Sequence, residues 1–128
     1  MQEEKRRKSK MKKVVAIVVT YNRLEMLKQC IDAIMKQTIR CDILLVDNCS
    51  TDGTREWVND YLLPIESNVY YINTGENIGG AGGFNYGLKE AIKGDYYYFW
   101  IMDDDCVPKE DALEKLLLAE KRLDIDCG

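Results

Sequence analysis

The sequence predicts an α/β fold with a doubly wound, mostly parallel sheet. The first observation behind this prediction is that short apolar runs, rich in β-branched or aromatic residues, recur along the chain. The second is that segments with apolar residues at three- and four-residue spacing separate those runs, which is typical of amphipathic helices. Strands that alternate with helices form parallel sheets with helices on their faces. At 128 residues and 46% hydrophobic content, the chain is long enough to bury one such core.

Four apolar runs predict the strands. Residues 14–19 are continuously apolar and mostly β-branched, as expected of a strand that is buried on both faces. Residues 43–46 and 69–72 are shorter runs of the same kind. Residues 96–102 form the most apolar segment of the chain, and they lead directly into three consecutive aspartates.

Four further segments predict helices. Residues 24–37 follow a polar turn, Pro64 ends a second helix near Leu62, and Pro108 opens the last one. Residues 77–83 are predicted to be a glycine-rich loop that leads into the third helix. The apolar positions that define the four helices are Leu24, Leu27, Ile31, Ile34 and Met35; Trp57, Val58, Tyr61 and Leu62; Leu88, Ala91 and Ile92; and Leu113, Leu116, Leu117 and Leu123.

Polar residues cluster directly after the predicted strands. They occupy positions 21–23, 47–48, 73–77 and 103–105. In open parallel sheets, ligands bind outside the carboxyl ends of the strands. We therefore expect these four segments to meet at one edge of the sheet and to form the functional site there.

The charge of the chain is asymmetric. Residues 1–13 carry seven Lys or Arg and two Glu, a net of +5, whereas residues 14–128 carry eleven Lys or Arg and twenty Asp or Glu, a net of −9. An acidic domain argues against a nucleic-acid groove and suits a site that uses a cation. Residues 1–12 are interpreted as a flexible basic leader, which suffices for weak contact with an anionic membrane surface. Residues 13–128 are the predicted folded domain.

Cysteine and histidine usage excludes several kinds of site. The five cysteines are odd in number and form no C-x-x-C pair, so neither a disulfide scaffold nor a zinc site is indicated. The chain has no histidine, which excludes imidazole catalysis within it. No apolar run reaches the roughly 18 residues that a membrane span needs. Reduced thiols favour a cytoplasmic location, with peripheral contact at the inner face of the membrane through the leader.

The acidic triplet Asp103, Asp104 and Asp105 is the most specific chemical feature. In an extended segment Asp103 and Asp105 point one way and Asp104 points the other. Two adjacent carboxylates suit Mg²⁺ or Mn²⁺ whose coordination is completed by phosphate oxygens. The simpler interpretation is a solvated acidic turn at the start of the next helix. The position of the triplet after a buried strand favours the metal site.

The other candidate residues allow two interpretations each. The glycines of residues 77–83 either free backbone N–H groups for an anion or permit close packing against a strand. Asp47 and Asn48 either accept from a base or ribose hydroxyl or cap the turn that follows. Tyr21 offers a ring on which a base can stack, although an exposed tyrosine on a loop is also common.

Four motifs in this order resemble glycosyltransferase family 2. They are residues 18–23 (VVTYNR), residues 46–54 (VDNCSTDGT), Asn77 with the glycines after it, and the triplet at 103–105. The resemblance covers roughly residues 13–123. It implies an inverting transferase with a GT-A fold, a Rossmann-like nucleotide-binding architecture, and it is strongest to the bacterial galactofuranosyl- and rhamnosyltransferase branch.

The resemblance also implies roles for individual residues. Tyr21 and Asp47 match positions that contact the uracil or thymine base, and Asn48 stands where many members carry a second Asp. Asn77 and Gly80 match the loop that lines the nucleotide-sugar. Asp103 matches a residue near the ribose and the metal, and Asp105 matches the residue that coordinates the metal bridging the diphosphate. The implied partners are a UDP- or dTDP-sugar, Mn²⁺ or Mg²⁺, and a glycan or lipid-linked acceptor.

The resemblance further implies that the acceptor-binding half and the general base lie beyond the triplet, after which only 23 residues follow. We therefore expect residues 13–128 to be a nucleotide-sugar-binding domain without the acceptor half, and the catalytic base to lie outside this chain. Three alternatives remain open from the sequence. One is a haloacid-dehalogenase-type phosphatase that uses Asp103 and Asp105. The others are a dinucleotide-dependent oxidoreductase and a nucleotide-sugar binding module without turnover.

Overall fold

The computed structural model describes the backbone of residues 13–127 and the side chains of residues 13–120. The interpretation of residues 1–12 as a basic leader therefore lies outside the described residues. In chain order the elements are β1 (Val14–Thr20), α1 (Leu24–Met35), β2 (Asp42–Asp47), α2 (Thr54–Trp57, continued by a π-helical turn over Val58–Leu62), β3 (Val69–Asn73), α3 (Gly79–Ile92), β4 (Tyr98–Asp103) and α4 (Ala112–Cys127).

The four strands form one sheet in the order β3-β2-β1-β4, and every neighbouring pair is parallel. The register places Thr20 of β1 beside Asp47 of β2 and Val19 of β1 beside Asp103 of β4. All the carboxyl ends therefore meet at one edge, and Asp47 and Asp103 flank the end of the central strand. This confirms the predicted α/β class with a parallel sheet.

Helices cover both faces of the sheet, as the doubly wound prediction requires. On one face, α1, the π-helical turn and α4 pack against alternate residues of β1 and β2, such as Ala16 and Ile43. On the other face, α3 packs against the intervening residues, such as Ile17 and Val46. Every residue of β1 is at least nine-tenths buried, because this strand lies between two neighbours and beneath helices on both sides.

The prediction that residues 77–83 form a loop is wrong for most of that segment, because α3 begins at Gly79. Glycine disfavours a helix by about 1 kcal/mol per residue relative to alanine, and here packing overrides that preference. A Cβ atom at Gly83 would lie 2.7 Å from Val19 Cγ1, and one at Gly87 would lie 2.8 Å from Ile17 Cγ2. The two glycines, four positions apart on one helix face, let α3 approach the sheet closely. Other predicted bounds shift by a few residues: α1 ends at Met35, β4 begins at Tyr98 and α4 begins at Ala112.

This close approach predicts opposite effects for two alanine substitutions in the same helix. Gly87→Ala is expected to destabilise the fold, because overpacking costs about 1 to 3 kcal/mol and outweighs the helix-propensity gain of about 1 kcal/mol. Gly80→Ala adds a methyl group where nothing lies within 4 Å, so the fold is expected to keep or gain stability. Urea unfolding of both variants measures the difference. Equal midpoints for Gly87→Ala and the unchanged protein would contradict the packing interpretation.

Candidate functional site

A cavity of about 500 Å³ opens at the carboxyl edge of the sheet. Its walls come from the ends of β1 and β4, the turn after β2 and the start of α3. Six of the residues singled out in the sequence line it, and Asp47 does not. The full lining is Val19, Thr20, Tyr21, Arg23, Asn48, Asn77, Gly79, Gly80, Asp103, Asp104 and Asp105.

The acidic triplet divides into an exposed, a buried and an exposed residue, as predicted, although Asp104 and Asp105 lie in the turn after β4 and not in an extended segment. Asp103 and Asp105 are exposed, whereas Asp104 is 4% exposed. Asp104 accepts a hydrogen bond from Thr20 Oγ1 at 2.9 Å and lies 3.5 Å from Arg23 Nη1. Burial raises the pKa of Asp104, and the Thr20 hydrogen bond and the Arg23 charge oppose that shift. The middle carboxylate is thus held by the protein, and the outer two face the cavity.

The two outer carboxylates fit a hard divalent cation that takes its other ligands from a substrate. Among the described residues, no three His, Cys, Asp or Glu side chains form a complete ligand set by themselves. Mg²⁺ is usually held by one or two carboxylates together with phosphate oxygens and water, and the pair Asp103 and Asp105 matches that pattern. The donors are oxygen only, which suits Mg²⁺ or Mn²⁺ and not a thiolate-preferring ion.

Asp47 lies at the predicted edge, but its carboxylate points into the protein. The residue is fully buried, its Oδ1 accepts from the Ser50 N–H at 2.9 Å and the Ser50 hydroxyl at 2.6 Å, and its Oδ2 accepts from the Tyr71 hydroxyl at 2.6 Å. Burial, together with this bond to Asp47, raises the pKa of Tyr71. Asp47 therefore fixes the turn that follows β2. Its contact with a nucleotide base stays a prediction.

Asn48 lines the cavity with its side chain already engaged. Its Nδ2 donates to the carbonyl of Gly79 at 3.0 Å, and its Oδ1 accepts from the Thr74 hydroxyl at 3.1 Å. The residue is 2% exposed. It therefore ties the end of β2 to the start of α3, and its predicted base contact also stays a prediction.

Tyr21 stands on a loop that is hydrogen-bonded to the neighbouring turn. The Asn22 N–H donates to Ser50 Oγ at 2.8 Å, and Asn22 Oδ1 accepts from the Thr51 N–H at 2.7 Å. Asn22 itself is in the left-handed region with φ of 51°, a conformation that asparagine tolerates better than most residues. These bonds hold the loop while Tyr21, 41% exposed, presents its ring at the cavity.

One carboxylate supports the starts of two helices behind this loop. Asp52 accepts from the Leu24 N–H at 3.1 Å, at the start of α1, and from the Thr54 N–H at 3.2 Å, at the start of α2. Burial opposes ionisation, but the hydrogen bonds from Thr54 and Leu24 outweigh it and hold the pKa of Asp52 below its usual value. The turns after β1 and β2 are thereby joined behind the cavity wall.

The start of α3 forms part of the cavity wall. Gly79 and Gly80 line the cavity, and Asn77 Oδ1 accepts from the Gly79 N–H at 2.9 Å. A helix start carries unpaired N–H groups and a partial positive charge, both of which favour an anion. The close-packing interpretation of the glycines holds for Gly83 and Gly87, whereas the use of Gly79 and Gly80 by an anion stays a prediction.

Sequence reasoning placed Arg23 and Asp104 at the ligand edge but assigned no role in the site to either residue, and it did not include Thr20. Arg23 is in the segment predicted to follow β1 at the ligand edge, and it is the cationic residue among the described lining. The sequence indicated that the Asp104 side chain points away from those of Asp103 and Asp105. It did not indicate that Thr20 is the partner of Asp104, because that contact depends on β1 and β4 being neighbours.

The family of this chain is shown by its match to a family model. Residues 15–127 match the model described as glycosyl transferase family 2. The chain belongs to glycosyl transferase family 2. This confirms the family that the four motifs indicated, and the strand topology agrees with it.

Relatives of this family-2 chain include galactofuranosyltransferase GlfT1 from Mycolicibacterium smegmatis, 35% identical over 107 residues that cover 83% of this chain and 34% of the relative. Undecaprenyl-phosphate mannosyltransferase from Micrococcus luteus is 30% identical over 119 residues, covering 91% of this chain and 47% of the relative. The chain thus spans about a third to a half of the length of these relatives.

A similar solved structure is that of the mannosyltransferase PcManGT from Pyrobaculum calidifontis in complex with GDP-Man and Mn²⁺. Its TM-score is 0.67 at 26% identity, and the match covers 78% of this family-2 chain and 30% of that protein. The likeness confirms a GT-A-like fold. In the part of the chain that the structure describes, no helix has the length and apolar character needed to cross a membrane.

Proposed function

We propose that this chain is the nucleotide-sugar-binding part of an inverting glycosyltransferase that uses a UDP- or dTDP-sugar and Mn²⁺ or Mg²⁺. The observation that carries the proposal is the cavity at the carboxyl edge of the sheet. It brings two exposed carboxylates, a glycine-rich helix start and an exposed tyrosine ring together around about 500 Å³. Those three features match the cation, the diphosphate and the base of a nucleotide-sugar.

The proposed role of each residue follows from its position in the cavity. Asp103 and Asp105 would hold the cation, which when bound neutralises charge on the departing nucleoside diphosphate. Gly79 and Gly80 at the start of α3 also line the cavity, and the N–H groups of the first helical turn other than that of Gly79, which is bonded to Asn77, suit phosphate oxygens. Tyr21 offers its ring to the base. Asn77 keeps the approach to α3 in place through its bond to the Gly79 N–H.

The relatives support this proposal at the level of donor class and metal. PcManGT was solved with GDP-Man and Mn²⁺, and GlfT1 and the undecaprenyl-phosphate mannosyltransferase are named as sugar transferases. We also propose a polysaccharide or lipid-linked acceptor and a place of action in the cytoplasm, at the inner face of the membrane. The undecaprenyl-phosphate in the name of the mannosyltransferase supports the lipid-linked class of acceptor. The general base that an inverting transfer requires is proposed to lie outside residues 1–128.

The phosphatase and oxidoreductase alternatives are not favoured. The haloacid-dehalogenase motif normally stands on the first strand of its domain, whereas Asp103 ends the fourth strand in the chain, at the edge of the sheet. A dinucleotide site needs a third glycine where Asn85 stands. A binding module without turnover would use the same cavity and differs only in the outcome of a transfer assay.

Calorimetric titration of the protein with UDP, dTDP, NAD and ATP, each with and without Mn²⁺, tests the proposal. We expect weak binding of UDP or dTDP that strengthens with Mn²⁺, because a cation held by Asp103 and Asp105 would neutralise charge on the diphosphate. NAD and ATP are expected to bind less well, since the family resemblance implies a uracil or thymine base in contact with Tyr21 and Asp47. Equal affinity for NAD or ATP would contradict the assignment.

A further inference from the structure

We propose that Asp104 is a positioning residue that, through Thr20, holds Asp103 and Asp105 in the arrangement that binds the cation. This inference rests on the proposed function and adds a role that the metal ligands alone do not explain. Asp104 is 4% exposed between two exposed neighbours. Its Oδ2 accepts a buried hydrogen bond of 2.9 Å from Thr20 Oγ1, which comes from the last residue of β1.

The position of this hydrogen bond explains its effect. Backbone pairing between β1 and β4 ends with Val19 beside Asp103; the next residues are Thr20, the last residue of β1, and Asp104, the first residue after β4. Beyond that point the side-chain bond continues the connection between the two strands. The turn that carries Asp105 is therefore attached to the centre of the sheet.

The backbone of the same turn is fixed by two further contacts. The carbonyl of Asp103 accepts from the Cys106 N–H at 3.1 Å and from the Cys30 thiol of α1 at 3.7 Å. Together with the bond between Thr20 and Asp104, these contacts tie the triplet to β1, to α1 and to its own next residues. Such supporting contacts set how precisely a metal ligand is aimed.

Charge gives the second reason for the role of Asp104. Three adjacent carboxylates repel one another, and the turn would relax by spreading them apart. The Thr20 hydroxyl and the Arg23 guanidinium, 3.5 Å from Asp104 Oδ1, offset the negative charge of the middle residue. The repulsion that remains is between the outer two carboxylates, and a bound cation would offset it.

Thr20→Val is the sharpest test, because it removes the hydroxyl and keeps the size and β-branching that the strand requires. We expect it to weaken Mn²⁺ binding in the presence of saturating UDP by about 10- to 100-fold, the usual effect of removing a support behind a metal ligand. Because Thr20 also lines the cavity, UDP affinity of the same variant is measured in EDTA, and the loss of Mn²⁺ affinity is expected to exceed any loss of UDP affinity seen there. Thr20→Ser restores the hydroxyl and is expected to restore Mn²⁺ affinity.

Thr54→Val is the matched control. Thr54 is also fully buried, and its hydroxyl donates to a carboxylate, Asp52 Oδ1, at 2.6 Å, away from the triplet. We expect this variant to lose stability and to keep the Mn²⁺ affinity of the unchanged protein. Equal losses of Mn²⁺ affinity in Thr20→Val and Thr54→Val would overturn the proposal, because a general loosening of the fold would then explain both.

Amide hydrogen exchange of Cys106 gives a readout that needs no ligand. Its N–H bonds to the Asp103 carbonyl, so release of the turn in Thr20→Val should speed its exchange relative to Thr20→Ser. Unchanged exchange in Thr20→Val would overturn the positioning role even if the variant binds Mn²⁺ weakly. If the unchanged protein binds no UDP with Mn²⁺, the proposed function fails, and faster exchange in Thr20→Val still supports the attachment of the turn.

Asp104→Asn provides a second variant should Thr20→Val not fold. The amide oxygen still accepts from Thr20, but the charge attraction to Arg23 is lost. We expect a loss of Mn²⁺ affinity smaller than that predicted for Thr20→Val. A loss as large as that of Asp105→Ala would overturn the proposal, since Asp104 would then act as a metal ligand.

Discussion

Asp105→Ala is expected to abolish the dependence of UDP affinity on Mn²⁺. Asp105 is one of two exposed carboxylates at the proposed cation site, and a cation held there would neutralise charge on the diphosphate. The substitution removes one of the two proposed direct ligands, so the loss of Mn²⁺ affinity should exceed the roughly 100-fold that loss of a supporting residue costs. Titration of UDP with and without Mn²⁺ measures the effect.

Asp60→Ala is the control for this experiment. Asp60 is an exposed acid in the π-helical turn and does not line the cavity. Its substitution by alanine changes the net charge of the protein by the same amount as Asp105→Ala. We expect its Mn²⁺-dependent UDP binding to match that of the unchanged protein. Retention of the full Mn²⁺ effect in Asp105→Ala would show that the ion binds elsewhere.

The second prediction with a large expected effect concerns sugar transfer by residues 1–128 alone. Residues 1–128 alone are expected to transfer no sugar at an appreciable rate. The carboxylates that line the described cavity are Asp103, Asp104 and Asp105, to which we assign the cation and its support. A positioned base typically contributes about 10² to 10⁴ in rate, and orientation of the acceptor contributes several further powers of ten. What remains is slow hydrolysis of the nucleotide-sugar, with water in place of the acceptor.

A radiolabelled transfer assay with UDP-galactofuranose and dTDP-rhamnose checks this expectation, using a sample shown beforehand to bind UDP. A longer chain that includes an acceptor-binding half is expected to turn over repeatedly. Multiple turnovers by residues 1–128 would place the base among Asp95, Asp111 and Glu114. Asp111 pairs with Lys115 at 3.2 Å and Glu114 accepts from Thr38 at 2.7 Å, and neither lines the cavity.

The sequence predicted the sheet well because each strand is indicated by residues that are consecutive in the chain. The apolar run of β1 and the acidic end of β4 mark both the strands and the edge at which they stop, and parallel pairing brings those ends together. Tyr21, Asn77 and Asp103 were placed at the cavity by that rule alone. No knowledge of the partners of their side chains was needed.

The sequence predicted the positions of side chains less well where a contact with a residue distant in the chain determines them. Asp47 follows its strand as expected, but Tyr71 and Ser50 turn its carboxylate inward. Gly83 has the local preference of a loop residue, and only its contact with Val19 shows why a glycine is needed inside a helix. In both cases the deciding contact depends on the packing of two elements.

The close fit of α3 on the sheet has a consequence for engineering the donor preference of this protein. Gly83 and Gly87 set the depth at which the helix lies, and Gly79 and Gly80 at the start of the same helix line the cavity. A larger residue at Gly83 or Gly87 is expected to move that part of the cavity wall along with the helix body. Core stability and the geometry of the proposed phosphate site are thus not independent variables here, and libraries aimed at a new sugar should vary the loops at 21–23 and 77–78 while leaving α3 untouched.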